Sequence, residues 1–356
     1  MAIVQGKYKK IVTRRVERNK PDKIKRTLNM KEFYHKRNKV LIVRSVGGLG
    51  DIFMHRMMFE DFKDLIGDGE VHFACPPMYH EAVKDHPFID ELLDSSTVYK
   101  SDYIISYNTT TACGRYEMRM APLSGLNRSD IWSQHCGVNL KKHNMHINLT
   151  EAEHQLGYDI ISNYTKSTEP VVVVCPVSAM RGKNLLDHQL NGLIKYLKDQ
   201  GCCPIGLHNT PILPLIKNNI PSIHSLTIRQ WMSVLNAADY VVSVDTAAFH
   251  CSGGMGKPLT GIFTFADGMA YGQHYEFELV QKHRKTNPCW TCGPCYNWGE
   301  CPKTKQELKP CLTELSVEEI IDGVNRMFAR WPIDKIKNEG SINGTIDYTN
   351  QSGNCN

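Results

Sequence analysis

The sequence predicts an α/β protein made of two doubly wound domains with a cleft between them. Short β-branched runs alternate with amphipathic stretches, a pattern typical of parallel sheets covered by helices on both faces. The alternation stops near residues 150–168 and then starts again, and a chain of 356 residues is long enough for two domains that each bury a core. The predicted domains are residues 39–160 and residues 168–336.

The first domain opens with a strand, a glycine turn and a helix. Residues 39–46 (KVLIVRSV) form a β-branched run that predicts a buried strand, and residues 52–66 have helical spacing after the turn. The same reasoning predicts a strand at 71–77, a short helix at 81–87 and a strand at 101–108. This order is that of a βαβ unit.

The second domain repeats the alternation more regularly. Its first strand is the apolar run EPVVVVCPVS, and each later strand follows an amphipathic helix. The predicted strands are 169–178, 202–208, 239–245 and 258–264, and the predicted helices are 186–201, 228–238 and 246–256.

The charge is unevenly distributed along the chain. The net charge is +5, but residues 1–39 hold 14 Lys and Arg against 3 Asp and Glu, so residues 1–38 are predicted to be a basic arm. Such an arm can contact phosphates of nucleic acid or of anionic lipid through residues 7–39, or it can simply face solvent. Residues 337–356 are polar and rich in Gly and Asn, which predicts a disordered tail.

The apolar segments do not favour a membrane or secreted protein. No apolar run reaches the roughly 18–20 residues that span a bilayer, and the first 30 residues lack the apolar core of a signal peptide. The expected location is therefore the cytoplasm, without a transmembrane segment.

The glycine-rich segments do not match either of two common nucleotide-binding motifs, the dinucleotide fingerprint and the P-loop. In the turn that begins at Gly48, the position of the third glycine of a dinucleotide fingerprint is Phe53, whose ring would block close packing of helix on strand. The segment GGMGKP around Lys257 lacks the first glycine of a P-loop, and Pro258 replaces its Ser or Thr. The sequence also lacks an Asp-x-Asp pair of the kind that holds a metal on a sugar diphosphate.

Polar residues remain at the predicted carboxyl ends of strands, where open α/β sheets bind ligands. Asp51 ends the first glycine turn and is expected to cap the following helix. Asp245 ends a strand, Thr246 opens the next helix, and His250 follows four residues later on the same helix face. Helix capping for the two Asp residues, and a core role for His250, remain open as simpler interpretations.

Three segments together resemble one family, the ADP-heptose–lipopolysaccharide heptosyltransferases of glycosyltransferase family 9, which have the two-domain GT-B fold. Residues 40–58 are similar to the family's first strand, its turn ending in Gly-Asp, and its first helix. Residues 225–264 resemble its donor-binding segment, and residues 289–321 resemble a stretch in which spaced cysteines precede a final helix. The resemblance covers roughly residues 39–330.

This resemblance implies roles for individual residues. Asp51 matches the family's general base, which takes the proton from the acceptor hydroxyl in an inverting single displacement. Lys183 matches the lysine that holds the donor phosphates, with Arg181 beside it, and no cofactor is needed for catalysis. The residues that fall on the donor-phosphate segment are Thr246 and Ala247, and those implied in the donor site or cleft are Ser178, Asn209, Asp245, His250, Gly48 and Gly50.

The sequence also departs from the family pattern. Leu185 and Leu186 follow Lys183-Asn184 where the family has Trp-Pro, and Ala247 replaces the glycine of Asp-Thr-Gly. Asn209 is the nearest polar residue where an acidic group would hold the ribose. The basic arm is foreign to ordinary members, which suggests a phage-like divergent member.

Five cysteines cluster near the C-terminus with the tight spacing of metal-binding thiolates. A structural zinc site is one interpretation and reduced structural thiols are the other; catalysis by these residues is not expected. The five residues are Cys289, Cys292, Cys295, Cys301 and Cys311.

The predicted function is transfer of a sugar from a nucleotide-diphosphate sugar to an acceptor hydroxyl, in a bacterial or virus-infected bacterial cell. The acceptor is either a lipopolysaccharide-type glycan or a hydroxymethylated base in DNA, in which case the enzyme modifies DNA. Two alternatives stay open: a non-catalytic nucleic-acid-binding protein on a degenerate GT-B fold, and another GT-B enzyme such as a sugar-nucleotide epimerase.

Overall fold

The computed structural model describes most of the two predicted domains. The described residues are 39–103, 105–121, 125–165, 168–282 and 294–333. The predicted basic arm (1–38) and tail (337–356) lie outside them. Within the described residues, no helix combines the length and apolar character that crossing a bilayer requires.

The first half is built on a four-stranded parallel sheet in the order β3-β2-β1-β4. Four of the five residues of β1, KVLIV, are buried, as expected for a central strand with neighbours on both sides. The strands are β1 (Lys39–Val43), β2 (Glu70–Cys75), β3 (Glu91–Asp94) and β4 (Ile105–Asn108).

Helices pack on this sheet mainly through aromatic and methionine side chains. Phe53, Phe59 and Phe62 are almost completely buried, so one face of the first two helices supplies much of the core. The helices are α1 (Leu49–His55), α2 (Phe59–Ile66), α3 (Ala112–Met120), α4 (Arg128–His135) and α5 (Glu151–Ser162). Short 3-10 turns occupy Arg56–Met58, Pro77–Ala82 and Lys100–Asp102.

The second half is built on a six-stranded parallel sheet in the order β10-β9-β8-β5-β6-β7. Every residue of its central strands is buried, which is why these segments read as continuous apolar runs. The strands are β5 (Val171–Cys175), β6 (Cys203–Leu207), β7 (Ser222–Ile223), β8 (Tyr240–Val244), β9 (Leu259–Phe263) and β10 (Glu278–Gln281).

The helices of the second half follow its strands in turn, and a 3-10 turn at Arg181–Lys183 follows β5. They are α6 (Asp187–Asp199), α7 (Leu213–Lys217), α8 (Ile228–Ala237), α9 (Ala247–Gly254), α10 (Gly268–Tyr271), α11 (Pro310–Thr313) and α12 (Val317–Arg330).

The predicted strands occur in the predicted order, but some boundaries differ and the structure has elements that were not predicted, among them strands β3, β7 and β10 and helices α3, α4, α5 and α7. The helix predicted at 52–66 already begins at Leu49 and is divided by the 3-10 turn between α1 and α2. The short helix predicted at 81–87 is instead the 3-10 turn Pro77–Ala82, where the two prolines at 76 and 77 favour a turn. The strand predicted at 101–108 begins only at Ile105, because a 3-10 turn covers Lys100–Asp102.

The two halves are in direct contact along their helices. The N-terminal turn of α1 packs against the N-terminal turn of α9, and α5 packs along α8. Phe53 of α1 and Trp231 of α8 place their ring centroids 6.0 Å apart. The carboxyl ends of β1 and β8 therefore open towards a common region between the halves.

Candidate active site

Asp51 is the third residue of α1, and its carboxylate is turned towards two arginines. Gly48 holds the N-cap position of α1, so the prediction that Asp51 caps this helix is wrong. Arg44 Nη2 lies 2.6 Å from Asp51 Oδ2, and Arg128 Nη1 lies 2.7 Å from Asp51 Oδ1. Each carboxylate oxygen therefore accepts a charge-assisted hydrogen bond, whose strength explains the orientation of the side chain.

The arginines also set the charge of this carboxylate. Burial by itself would raise the pKa of Asp51, but the guanidinium groups of Arg128 and Arg44 outweigh it and hold the pKa well below its usual range. Asp51 is therefore ionised at neutral pH. The sequence suggested that the helix dipole would keep it ionised; in the structure the largest lowering effects come from the two arginines.

A glycine makes room for this ion pair. Gly47 has a φ of +140°, and a Cβ at this position would lie 2.6 Å from Arg44 Nη2 and 2.7 Å from Asp51 Oδ2. The turn can therefore fold over the pair only because residue 47 has no side chain. By contrast, a Cβ on Gly48 would meet nothing within 4 Å.

Arg128 connects Asp51 to the second half of the protein. Its guanidinium donates two hydrogen bonds to Glu117, from Nε at 2.8 Å and from Nη2 at 2.9 Å. Glu117 is 1 % exposed and also accepts a hydrogen bond of 2.8 Å from the hydroxyl of Tyr271, in α10. Since the Arg128 guanidinium lies 4.7 Å from the centre of the Tyr271 ring, this buried network includes groups of both halves.

The second half contributes a buried cation. Lys183 follows β5 and Asp245 follows β8, and because these strands are neighbours in the sheet their carboxyl ends bring the two residues together. Lys183 Nζ lies 2.7 Å from Asp245 Oδ2, and both side chains are largely buried. The pair lies next to Thr246 at the start of α9.

Trp298 contacts the cations of both centres. The centre of its indole lies 4.6 Å from Lys183 Nζ and 5.2 Å from the Cζ atom of Arg128. Both distances are within the range of a cation–π contact. The arginine that binds Asp51 and the lysine that binds Asp245 therefore meet at one half-buried side chain.

The start of α9 packs tightly on α1. Thr246 is the N-cap residue of α9. A Cβ on Gly50 would lie 3.1 Å from His250 Cδ2 and 3.5 Å from the backbone of Ala247. His250 is 3 % exposed, its Nδ1 lies 3.2 Å from the hydroxyl of Tyr275, and burial lowers its pKa to about 4. His250 is thus neutral at pH 7, in line with the simpler interpretation of a core histidine.

Three other predicted site residues lie apart from this centre. Arg181 is exposed and faces Glu307 at 3.6 Å. Ser178 belongs to the loop after β5, where its amide donates to Asn184 Oδ1 at 2.7 Å. Asn209 is exposed in the loop after β6. Among the described residues, no hydrogen bond joins these side chains to Asp51, Lys183 or Asp245.

The cysteine cluster is only partly described. Cys289 and Cys292 lie outside the described residues. Cys295, Cys301 and Cys311 lie inside them, and these three do not gather into a group whose sulfur atoms could share one metal ion.

Three other residues with side chains that commonly bind metals, Asp130, His143 and His274, lie together between the halves. Asp130 accepts from His143 at 2.9 Å and from His274 at 2.9 Å. The two imidazole rings are stacked with centroids 3.5 Å apart and planes inclined by 14°. One metal ion cannot lie in the planes of two rings stacked in this way. The three side chains instead form a hydrogen-bonded contact that joins α4 to His274 of the second half.

The sequence interpretation missed Arg44, Glu117, Arg128, Tyr271 and Trp298. A signal existed for Arg44, a charged residue inside the apolar strand predicted at 39–46, and for Trp298, which lies inside the cysteine-rich segment. The others come from segments without a recognisable motif, and only the tertiary structure brings them to Asp51.

The described fold is similar to that of solved glycosyltransferases. A glycosyltransferase of family 9 from Veillonella parvula superposes with a TM-score of 0.61 at 12% identity, over 82% of this chain and 98% of that one. ADP-heptose lipopolysaccharide heptosyltransferase II of E. coli gives a TM-score of 0.57 at 12% identity, over 82% of this chain and 99% of that one. The iron-containing dodecameric glycosyltransferase TibC of enterotoxigenic E. coli gives a TM-score of 0.61 at 13% identity, over 83% of this chain and 77% of that one.

The sequence itself gives no comparable match. No protein-family model matches it, and no curated protein does. At 12–13% identity these likenesses concern the fold. The chain therefore has the GT-B fold of these solved glycosyltransferases, which confirms the fold class predicted from the sequence.

Proposed function

We propose that this protein is an inverting glycosyltransferase that moves a sugar from a nucleotide-diphosphate sugar to an acceptor hydroxyl. The observation that carries this proposal is the meeting of two charged centres from different halves of the chain. Asp51, a potential proton acceptor, and Lys183, a potential phosphate ligand, are linked by way of Arg128 and Trp298. A single displacement needs both groups, on opposite sides of one anomeric carbon.

Asp51 acts on the acceptor. The acceptor hydroxyl takes the place of one arginine N–H group and donates a hydrogen bond to the carboxylate. As the acceptor oxygen forms its bond to the anomeric carbon, the hydroxyl becomes more acidic and Asp51 takes its proton. Because the arginines lower the pKa of Asp51, it is a weak base that accepts the proton late, and positioning of the hydroxyl accounts for much of its effect.

Lys183 acts on the leaving group. The bond between the anomeric carbon and the diphosphate oxygen breaks, and its electron pair goes to the diphosphate. The Lys183 ammonium leaves the Asp245 carboxylate and binds the phosphate oxygens instead. The N-terminal turn of α9, which begins at Thr246, contributes amide groups and a favourable helix dipole. These groups can stabilise the departing charge in a partly buried site.

The acceptor is proposed to be anionic or attached to an anionic polymer. A lipopolysaccharide-type glycan and a hydroxymethylated base in DNA both meet this description, and the concentration of positive charge in residues 7–39 favours a phosphate-bearing partner. Binding to duplex DNA would weaken steeply with salt. A DNA shift assay at two salt concentrations distinguishes these acceptors, because the absence of a shift at low salt removes DNA.

A structural zinc in the cysteine-rich segment stays a prediction. Burial raises the pKa of the Cys301 thiol, but hydrogen bonds from the Thr304 and Lys303 backbones and the Thr304 hydroxyl outweigh it and lower the pKa. This environment suits a thiolate ligand, but the remaining ligands would have to include Cys289 and Cys292. Metal analysis of the purified protein, with and without the Cys289→Ser and Cys292→Ser substitutions, tests this prediction.

The experiment that tests the proposed function is a thermal-shift panel of nucleotide sugars with ADP, GDP, UDP, CDP and dTDP as the nucleotide. A true donor should raise the melting temperature in a concentration-dependent manner, since it binds the folded state. Donors that bind are then assayed for transfer. If no member of the panel binds, the assignment as a glycosyltransferase is wrong.

A further inference from the structure

We infer that Trp298 contacts the sugar unit of the donor and determines which sugars are accepted. This inference rests on the proposed function and adds a specificity-determining residue to it. Trp298 belongs to the cysteine-rich segment, and not to the segments after β1, β5 and β8 that carry Asp51, Lys183 and Asp245.

The position of Trp298 is fixed by its neighbours. The amide of Tyr296 donates to the carbonyl of Phe265 at 3.0 Å. The ring of Trp298 stands edge-on to the ring of Phe265, with centroids 5.2 Å apart and planes at 87°. Lys309, which is 2 % exposed, donates to the carbonyl of Gly299. Contacts on both sides of residue 298 therefore hold the indole in place.

The charged centres locate the sugar. In the proposed reaction the diphosphate binds Lys183 and the acceptor hydroxyl binds Asp51, so the sugar lies between them. Trp298 contacts Lys183 directly and reaches Asp51 through Arg128, and it therefore borders the same space. No other tryptophan in the described residues contacts both Lys183 and Arg128.

Donor binding would free part of the indole. The Lys183 ammonium lies over the ring. When the Lys183 ammonium moves to the diphosphate, it uncovers an area of the indole ring that adjoins the sugar. An aromatic ring offers a flat apolar surface to the C–H groups of a sugar, whose hydroxyl groups are left to the polar neighbours.

The test compares binding of a nucleotide sugar with binding of its parent nucleotide diphosphate, for example ADP-heptose with ADP, by calorimetry. The pair is the one selected by the thermal-shift panel. The variants are Trp298→Ala and Trp298→Phe. Trp331→Phe is the matched control, because Trp331 is also half-buried and also packs on a cation, Arg330 at 4.5 Å, but in another part of the fold.

The ratio of the two dissociation constants gives the sugar contribution. In Trp298→Ala this contribution should fall about tenfold, while Trp298→Phe keeps most of it and Trp331→Phe keeps all of it. An effect through Lys183 alone would change both dissociation constants by the same factor and leave the ratio unchanged, and this result would overturn the inference.

Folding and function are controlled separately. Circular dichroism melts show whether Trp298→Ala folds. If it does not, Trp298→Leu, which fills the space with an apolar side chain but has no flat ring, provides the test and should show the same fall in the sugar contribution. If wild-type protein binds the nucleotide sugar and transfers nothing, the proposed function fails while the sugar contact can still be measured. If no nucleotide sugar binds at all, the inference falls together with the proposed function.

Discussion

Gly50 of α1 lies so close to His250 of α9 that a Cβ on the glycine would stand 3.1 Å from His250 Cδ2. The first turns of two helices, one from each half of the chain, meet at this point. Asp51 follows Gly50 directly, and Thr246 begins α9. The contact therefore sets the distance between the carboxylate of the first half and the N-terminal turn of α9, where we propose that the donor phosphates bind.

Replacing Gly50 should disturb this distance more than it disturbs stability. In Gly50→Ala the added methyl group pushes α1 from α9, but alanine also favours the helix by about 1 kcal/mol, so the free energy of unfolding should change little. Transfer, which depends on placement, should fall at least tenfold. Gly48→Ala is the control, because a Cβ there meets nothing within 4 Å. Equal activities of the two variants would show that the contact does not position the site.

Lys183 is expected to serve both binding and folding. Lys183→Ala should weaken donor binding at least tenfold, and it should also destabilise the protein by about 3 kcal/mol because Asp245 is left as an unpaired, largely buried charge. The double variant Lys183→Ala/Asp245→Asn should recover much of the stability but none of the binding. Urea denaturation and calorimetry measure the two effects. Recovery of donor binding in the double variant would mean that the phosphates lie elsewhere.

The ion pairs of Asp51 predict a specific dependence of stability on pH. A carboxyl whose pKa is lowered in the folded state stabilises the protein above its unfolded pKa and loses this contribution as the pH falls. The difference in unfolding free energy between wild type and Asp51→Asn should therefore be constant from about pH 8 to pH 5 and shrink below the ordinary aspartate pKa of about 3.9. Urea denaturation at several pH values measures it. A difference that changes between pH 5 and 8 would show that the carboxyl titrates there and is not held by the arginines.

The fold could be predicted from the sequence where burial determines the pattern. The strands β5, β8 and β9 are buried along their whole length, and each is a continuous apolar run. Helix α4, RSDIWSQH, was missed because its polar residues interrupt the apolar pattern, although Ile131 and Trp132 are buried. For such a segment, tertiary packing rather than periodicity decides the structure.

The site could be predicted only where a short motif carries it. Asp245 directly follows a strand and Asp51 lies in the first turn of the helix after β1, so both could be named from the chain itself, whereas Lys183 was named through the family resemblance. Arg128 is 77 positions from Asp51, and Tyr271 is 154 positions from Glu117, so the network that lowers the pKa of Asp51 is a product of the tertiary structure. Local sequence therefore suggests the candidate reacting groups but not the residues that set their pKa values.

The most direct test of the central claim is a measurement of donor binding and sugar transfer on the same preparation of Asp51→Asn. Asparagine keeps the shape of the side chain but cannot accept the acceptor's proton, and the proposed phosphate site around Lys183 is left intact. The account predicts donor affinity within about threefold of wild type and transfer reduced by at least a thousandfold, since general-base catalysis and positioning are both lost. Transfer at the wild-type rate by this variant would contradict the account, because the carboxylate would then have no part in the reaction.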